Sequence, residues 1–125
     1  MSKITTHVLD AMLGKPAAGI SVRLEAQHGG GWNETDDSER VYDVTGSWVE
    51  ISRKVTDADG RCRDLTADAT EGVYRLTFET GTYLRNDGRR TIYPEIAITF
   101  QCDGRQHYHL PLLLSDNSYT TYRGS

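Results

Sequence analysis

Hydrophobic residues recur at every second position through most of this chain, and that period constrains the fold more than any other feature. Ile20, Val22 and Leu24 alternate with Ser21, Arg23 and Glu25. Tyr74, Leu76 and Phe78 alternate with Val73, Arg75 and Thr77, and Ile96, Ile98 and Phe100 with Ala97 and Thr99. Side chains two apart share one face of a strand, so each run can bury one face and wet the other. The runs are short and bounded by turn residues, including "GKPAAG" at 14–19, "DADG" at 57–60 and "NDG" at 86–88, where "DG" favours a tight hairpin because both central turn residues need positive φ. The pattern predicts strands over 4–10, 20–27, 40–44, 48–55, 61–66, 73–80, 94–102, 106–115 and 118–123. Several short antiparallel strands in one chain point to a β-sandwich. One helix of at most two turns fits 81–90. The polar, glycine-rich segment 28–39, "HGGGWNETDDSE", reads as a mobile loop or a long hairpin tip with His28 exposed in it.

With 125 residues the chain is expected to form a single domain, 1–125, large enough to bury a core without staples. A formal net charge of -4, with both signs scattered, argues against a nucleic-acid partner. No apolar stretch approaches the roughly 20 residues that span a bilayer. The opening "MSKITTHVLD" has no apolar signal-peptide region, which leads us to expect a cytoplasmic protein. Cys62 and Cys102 then read as free buried thiols, and no CxxC suggests a zinc ribbon or a redox motif.

The histidines carry the chemical signal. In strand 4–10, Ile4, Thr6 and Val8 lie on one face and Thr5, His7 and Leu9 on the other. In strand 106–115, Tyr108, Leu110, Leu112 and Leu114 form the core face, which sends His107, His109, Pro111 and Leu113 outward. An outward face holding Leu9, Pro111 and Leu113 beside histidines is too apolar for open solvent and suits an interface between subunits. Three readings stand for His7 and His109: ordinary surface residues, metal ligands together with His107, or acid–base groups. Near the carboxylate, "YTTYRGS" reads as a strand continuing almost to Ser125.

"THVLD" at 6–10, "TDADGR" at 56–61, "YPEI" at 93–96, "HYHLPLLLS" at 107–115 and "YRGS" at 122–125 occur in the order found in the transthyretin-like proteins. The final "YRGS" resembles the enzymatic branch of that family, the 5-hydroxyisourate hydrolases. The resemblance implies a sandwich of two four-stranded sheets with one short helix. It also implies a homotetramer, a dimer of dimers, with sites in a channel lined by outward sheet faces. Two departures stand out. The stretch between strand 20–27 and "DADGR" is long, and Asp116 stands where relatives usually carry proline; both are expected to affect loops. The extra predicted strands are expected to be hairpin irregularities within 40–66.

The implied reaction is hydrolysis of 5-hydroxyisourate at an amide-like ring carbonyl. Water must lose a proton, an oxyanion must be stabilised and a ring nitrogen must be protonated. None of these steps requires a metal or other cofactor. By the resemblance, His7, Arg61, His109 and Ser125 are catalytic, while Tyr122, Arg123 and Gly124 bind substrate. His107 is expected to orient the site or serve the interface. The competing reading is a carrier of a small aromatic ligand in the same channel, although a carrier has no use for two titratable bases and an arginine.

Overall fold

The computed structural model describes residues 1–28 and 46–124, with the backbone of 32–34 and 40–42. Strands β1 (Ser2–Asp10), β2 (Lys15–Pro16), β3 (Ser21–His28), β4 (Trp32–Glu34), β5 (Arg40–Tyr42) and β6 (Ser47–Val55) come first. Then follow β7 (Arg61–Ala69), β8 (Gly72–Phe78), helix α1 (Thr80–Asn86), β9 (Ile96–Cys102), β10 (Tyr108–Leu114) and β11 (Tyr119–Thr121). One sheet runs β11-β10-β1, with β7 and the two-residue β2 both pairing β1; the other runs β6-β3-β8-β9. The architecture is therefore the expected sandwich of two main four-stranded sheets and one short helix, with β2 added at the edge of the first.

The core lies where the alternation put it. Ile4 and Val8 of β1, Val22 and Leu24 of β3, Leu76 and Phe78 of β8, and Leu112 and Leu114 of β10 are all essentially inaccessible to solvent. Truncating any of these leucines to alanine is expected to cost about 2–5 kcal/mol.

Several expectations are corrected. The strands are not all antiparallel, because β1 and β10 pair in parallel. "GKPAAG" is not only punctuation: Lys15 and Pro16 fold back on Asp10 and Leu9 through a turn closed by Gly14 at φ 68°. "NDG" ends α1 rather than making a hairpin. Gly88 takes φ 71°, and the Gly88 and Arg89 amides donate to the carbonyls of Arg85 and Leu84, a left-handed helix stop. The helix itself begins at Thr80 and ends at Asn86, short of the expected 90. His28 closes β3 opposite Ser47 rather than sitting in a loop, and β4 pairs β5 as a hairpin within the long stretch. The remaining positions of 29–45 lie outside the described residues.

A buried ion cluster ties the helix exit to the site-bearing sheet. Asp10 is fully buried at the end of β1 and accepts hydrogen bonds from Arg89 and from the Tyr83 hydroxyl. Arg89 Nε also donates to Asp116 at 2.8 Å. Asp116, one of the two departures from the family resemblance, thus has a partner. Burial alone would raise the Asp10 carboxyl, yet the Arg89 and Tyr83 hydrogen bonds hold it below the usual carboxylate range. Burial and the neighbouring Asp10 push the Tyr83 phenol up to about 12.

Candidate active site

Strand register assembles the site. In the parallel β1–β10 pair, Thr5 stands opposite His109 and His7 opposite Pro111. On the other side of β1, antiparallel β7 sets Arg61 opposite His7. Side chains at 3, 5 and 7 of β1, at 61 and 63 of β7, at 109 of β10 and at 107 just before it point away from the core. Alternation requires this once Ile4, Cys62 and Tyr108 are buried inward. A cavity of about 290 Å³ opens on this outer face, lined by Lys3, Thr5, Thr6, Arg61, Arg63, His107 and His109.

The expected pair is brought close but not equivalently placed. His109 lines the cavity and is half-buried, while His7 lies along the same face without forming the cavity wall. His7 Nε2 is 2.8 Å from the Asp59 carbonyl oxygen in the β6–β7 turn. A carbonyl can only accept, so His7 donates from Nε2 and its neutral ring keeps a lone pair on Nδ1. That turn is tightly fixed. Gly60 takes φ 77°, and a Cβ there would collide with the Val8 carbonyl oxygen. The Asp57 carboxylate accepts from the amides of Asp59 and Arg61.

His109 is set by Thr5. Its Nδ1 is 2.8 Å from Thr5 Oγ1, and the same hydroxyl is 3.0 Å from His107 Nε2. Burial, followed by the charges of Arg61, His107 and His7, holds the His109 imidazole below its ordinary pKa, so the ring is neutral at neutral pH.

The chain end reaches this histidine. Gly124 forms a bridge to His109, its amide donating to the His109 carbonyl oxygen at 2.7 Å. A Cβ on Gly124 would come to 2.7 Å of His109 Cδ2, so a glycine is needed here for close approach to the imidazole. Arg123 lies over the Tyr108 ring at 4.4 Å and donates to Gln106 Oε1 and the His107 carbonyl oxygen. It braces the tail against β10 and does not line the cavity. Tyr122 is 53% exposed and also stands outside the cavity wall. Ser125 lies outside the described residues. The outward apolar set is smaller than expected, because Pro111 is already buried within this chain, its carbonyl oxygen accepting from the Thr121 hydroxyl at 2.8 Å.

Lys3, Thr5 and Arg63 were not singled out from sequence. The signal was present in the alternation, which puts Lys3 and Thr5 on the His7 face and Arg63 on the Arg61 face. Among the described residues no three His, Cys, Asp or Glu side chains converge as metal ligands. A larger cavity, about 420 Å³, lies beside α1 and is lined by Leu13, Lys15, Glu79, Tyr83 and Asp87 among others. No imidazole lines it, whereas His107 and His109 line the smaller one.

A β-sandwich carrying imidazoles and guanidinium groups around a polar cavity on an outer sheet face defines the class. The sequence model of the HIUase/Transthyretin family matches residues 4–124, and the chain belongs to that family. It is 37% identical to the 5-hydroxyisourate hydrolase of Mus musculus, covering 99% of this chain and 96% of that one. It is 39% identical to the Uric acid degradation bifunctional protein TTL of Arabidopsis thaliana, of whose length it spans 37%. Among solved structures, 5-hydroxyisourate hydrolase of Klebsiella pneumoniae matches with a TM-score of 0.78 at 32% identity, covering 100% of this chain and 94% of that one. Transthyretin from Sparus aurata matches with a TM-score of 0.80 at 31% identity, covering 98% and 96%.

Proposed function

We propose that this chain is a 5-hydroxyisourate hydrolase, which opens the six-membered ring of its substrate to give 2-oxo-4-hydroxy-4-carboxy-5-ureidoimidazoline. The observation that carries the reading is the convergence of a neutral, half-buried His109 with Arg61 in one cavity. Backbone similarity does not separate enzyme from carrier, since the two structural matches score alike. The side chains do, because a neutral base beside a fixed cation is what carbonyl hydrolysis uses.

In this reading His109, through Nε2, takes a proton from water as the water oxygen bonds to the ring carbonyl carbon. Arg61 offers its forked donors to the developing oxyanion. The carbon–nitrogen bond then breaks and the ring nitrogen receives the proton back from His109. His7, its Nε2–H held by Asp59, presents Nδ1 as an acceptor that orients water or a substrate N–H. Gly124 holds the tail against His109, Arg123 braces that tail against β10, and a catalytic role for Ser125 belongs to the same proposal. A homotetramer belongs to the same proposal. It is supported by Leu9 and Leu113 on the outer face of the site-bearing sheet and by exposed Ile92, Tyr119 and Tyr122. The free, buried thiols of Cys62 and Cys102 suit the reducing cytoplasm.

The test is the ultraviolet decay of freshly generated 5-hydroxyisourate with catalytic amounts of protein, with and without chelator. The reading expects chelator-insensitive turnover of many equivalents. A protein that protects or sequesters one equivalent and stops is a carrier.

A further inference from the structure

One hydroxyl touches two imidazoles. Thr5 Oγ1 lies 2.8 Å from His109 Nδ1 and 3.0 Å from His107 Nε2, and the two rings are 6.3 Å apart, too far for a direct bond. A threonine hydroxyl has a single proton. It can donate to only one ring, and it can accept an N–H from the other. Thr5 is buried although it faces the site, so its hydroxyl is held between the rings rather than spent on bulk water.

We propose that Thr5 is a positioning residue that couples His109 to His107, making His107 the terminal proton acceptor of the hydrolytic site. The proposal rests on the hydrolase reading and deepens it. In the resting arrangement His109 donates Nδ1–H to Thr5, Thr5 donates O–H to His107 Nε2, and His109 Nε2 carries a bare lone pair facing substrate water. When Nε2 accepts the water proton, Nδ1–H passes to Thr5 Oγ1 and the Thr5 proton passes to His107 Nε2. The His109 ring as a whole and Thr5 Oγ1 each gain one proton and lose one, His107 gains one and becomes imidazolium, and the water that gave it up becomes hydroxide bonded to carbon. Reversal of the same shifts returns a proton through His109 Nε2 to the leaving nitrogen.

The environment explains the direction of transfer. His109 is half-buried and faces Arg61 and Arg63 from β7, Lys3 and His7 from β1, and His107 immediately before β10. No carboxylate lines that cavity among the described residues. A cation formed on His109 is therefore poorly placed. His107 is exposed just before β10, where water solvates the charge and Arg123 braces its backbone carbonyl.

The experiment combines substrate-free spectroscopy with a mutant cycle. In ¹⁵N-histidine spectra of the intact protein, His109 is expected as the Nδ1–H tautomer and His107 with an unprotonated Nε2 in the neutral state. Thr5→Val keeps the shape and removes the hydroxyl. It is expected to abolish that tautomer preference and lower kcat about tenfold, with KM within about twofold. Thr5→Ser restores both. His107→Phe lowers kcat to a similar degree, and the double variant loses no more than either alone. Additive losses, or Thr5→Val turning over like the native protein, overturn the relay. Should Thr5→Val not fold, His109 found as the Nε2–H tautomer in the native protein overturns it equally. A native protein that shows the tautomers but no turnover instead refutes the hydrolase reading.

Discussion

Gly124→Ala puts one methyl group where the tail meets His109. The added Cβ would sit 2.7 Å from His109 Cδ2 and 3.3 Å from the His109 carbonyl oxygen. Carbon atoms in ordinary contact lie about 3.5–4.0 Å apart, so tail or imidazole must move by about 1 Å. The imidazole cannot turn freely, because its Nδ1 is held by Thr5. If the ring yields, that bond is lost and Nε2 is misdirected. If the tail yields, the Gly124–His109 backbone hydrogen bond of 2.7 Å is lost and the cavity opens. Losing one such bond at a chain end costs about 1 kcal/mol of stability, a Tm change of at most about 5 °C. A displacement of 1 Å in a catalytic group can cost about 10²-fold in rate. We therefore expect kcat/KM for 5-hydroxyisourate decay to fall by about 10²-fold with little change in Tm or circular dichroism. Native kcat/KM in a folded Gly124→Ala protein refutes the claim that the tail positions His109.

His7→Ala and His109→Ala are each expected to lower kcat by about 10²-fold or more while Tm holds, because both side chains lie off the core; steady-state decay and thermal melts check this. His109 titrates below its ordinary value, so the acid limb of kcat/KM should fall below pH 6.5; Arg61→Gln removes a repelling cation and should move that limb upward. The folded state binds fewer protons at His109 than the unfolded chain, so this contribution to stability is present above about pH 6.5 and lost on acidification. Arg89→Met strands the buried Asp10 carboxylate and should cost about 3–5 kcal/mol in denaturant unfolding. Deleting 122–125 should abolish turnover in a chain that still melts cooperatively, and full activity there would remove the tail from the site.

Alternation carried most of the fold, since inward positions such as Val22, Leu76 and Leu112 can be satisfied only by a two-sided sandwich. It also placed Thr5, His7 and His109 on outward faces, while Arg61 was singled out by the family resemblance. What it could not carry was pairing direction. Nothing in the local pattern of 4–10 or 106–115 says that these strands run parallel, and the Thr5–His109 contact depends on that. The fold-back of Lys15 and Pro16 was hidden because a two-residue strand has no period. "NDG" misled because glycine after aspartate serves both hairpins and helix ends, and only the packing of α1 decides between them. Thr5 escaped notice because a threonine in a strand is ordinary by propensity; its significance lies in two ring nitrogens about a hundred residues away in sequence.

The central claim is that this outer sheet face hydrolyses 5-hydroxyisourate through its imidazoles. The most direct measurement is steady-state decay of fresh substrate in large excess, comparing the native chain with the His7→Ala/His109→Ala double variant. Both proteins are matched for circular dichroism and sedimentation. The account predicts sustained turnover by the native protein and decay at the uncatalysed buffer rate with the double variant. Turnover by the folded double variant at the native rate, or no acceleration by the native protein, contradicts it.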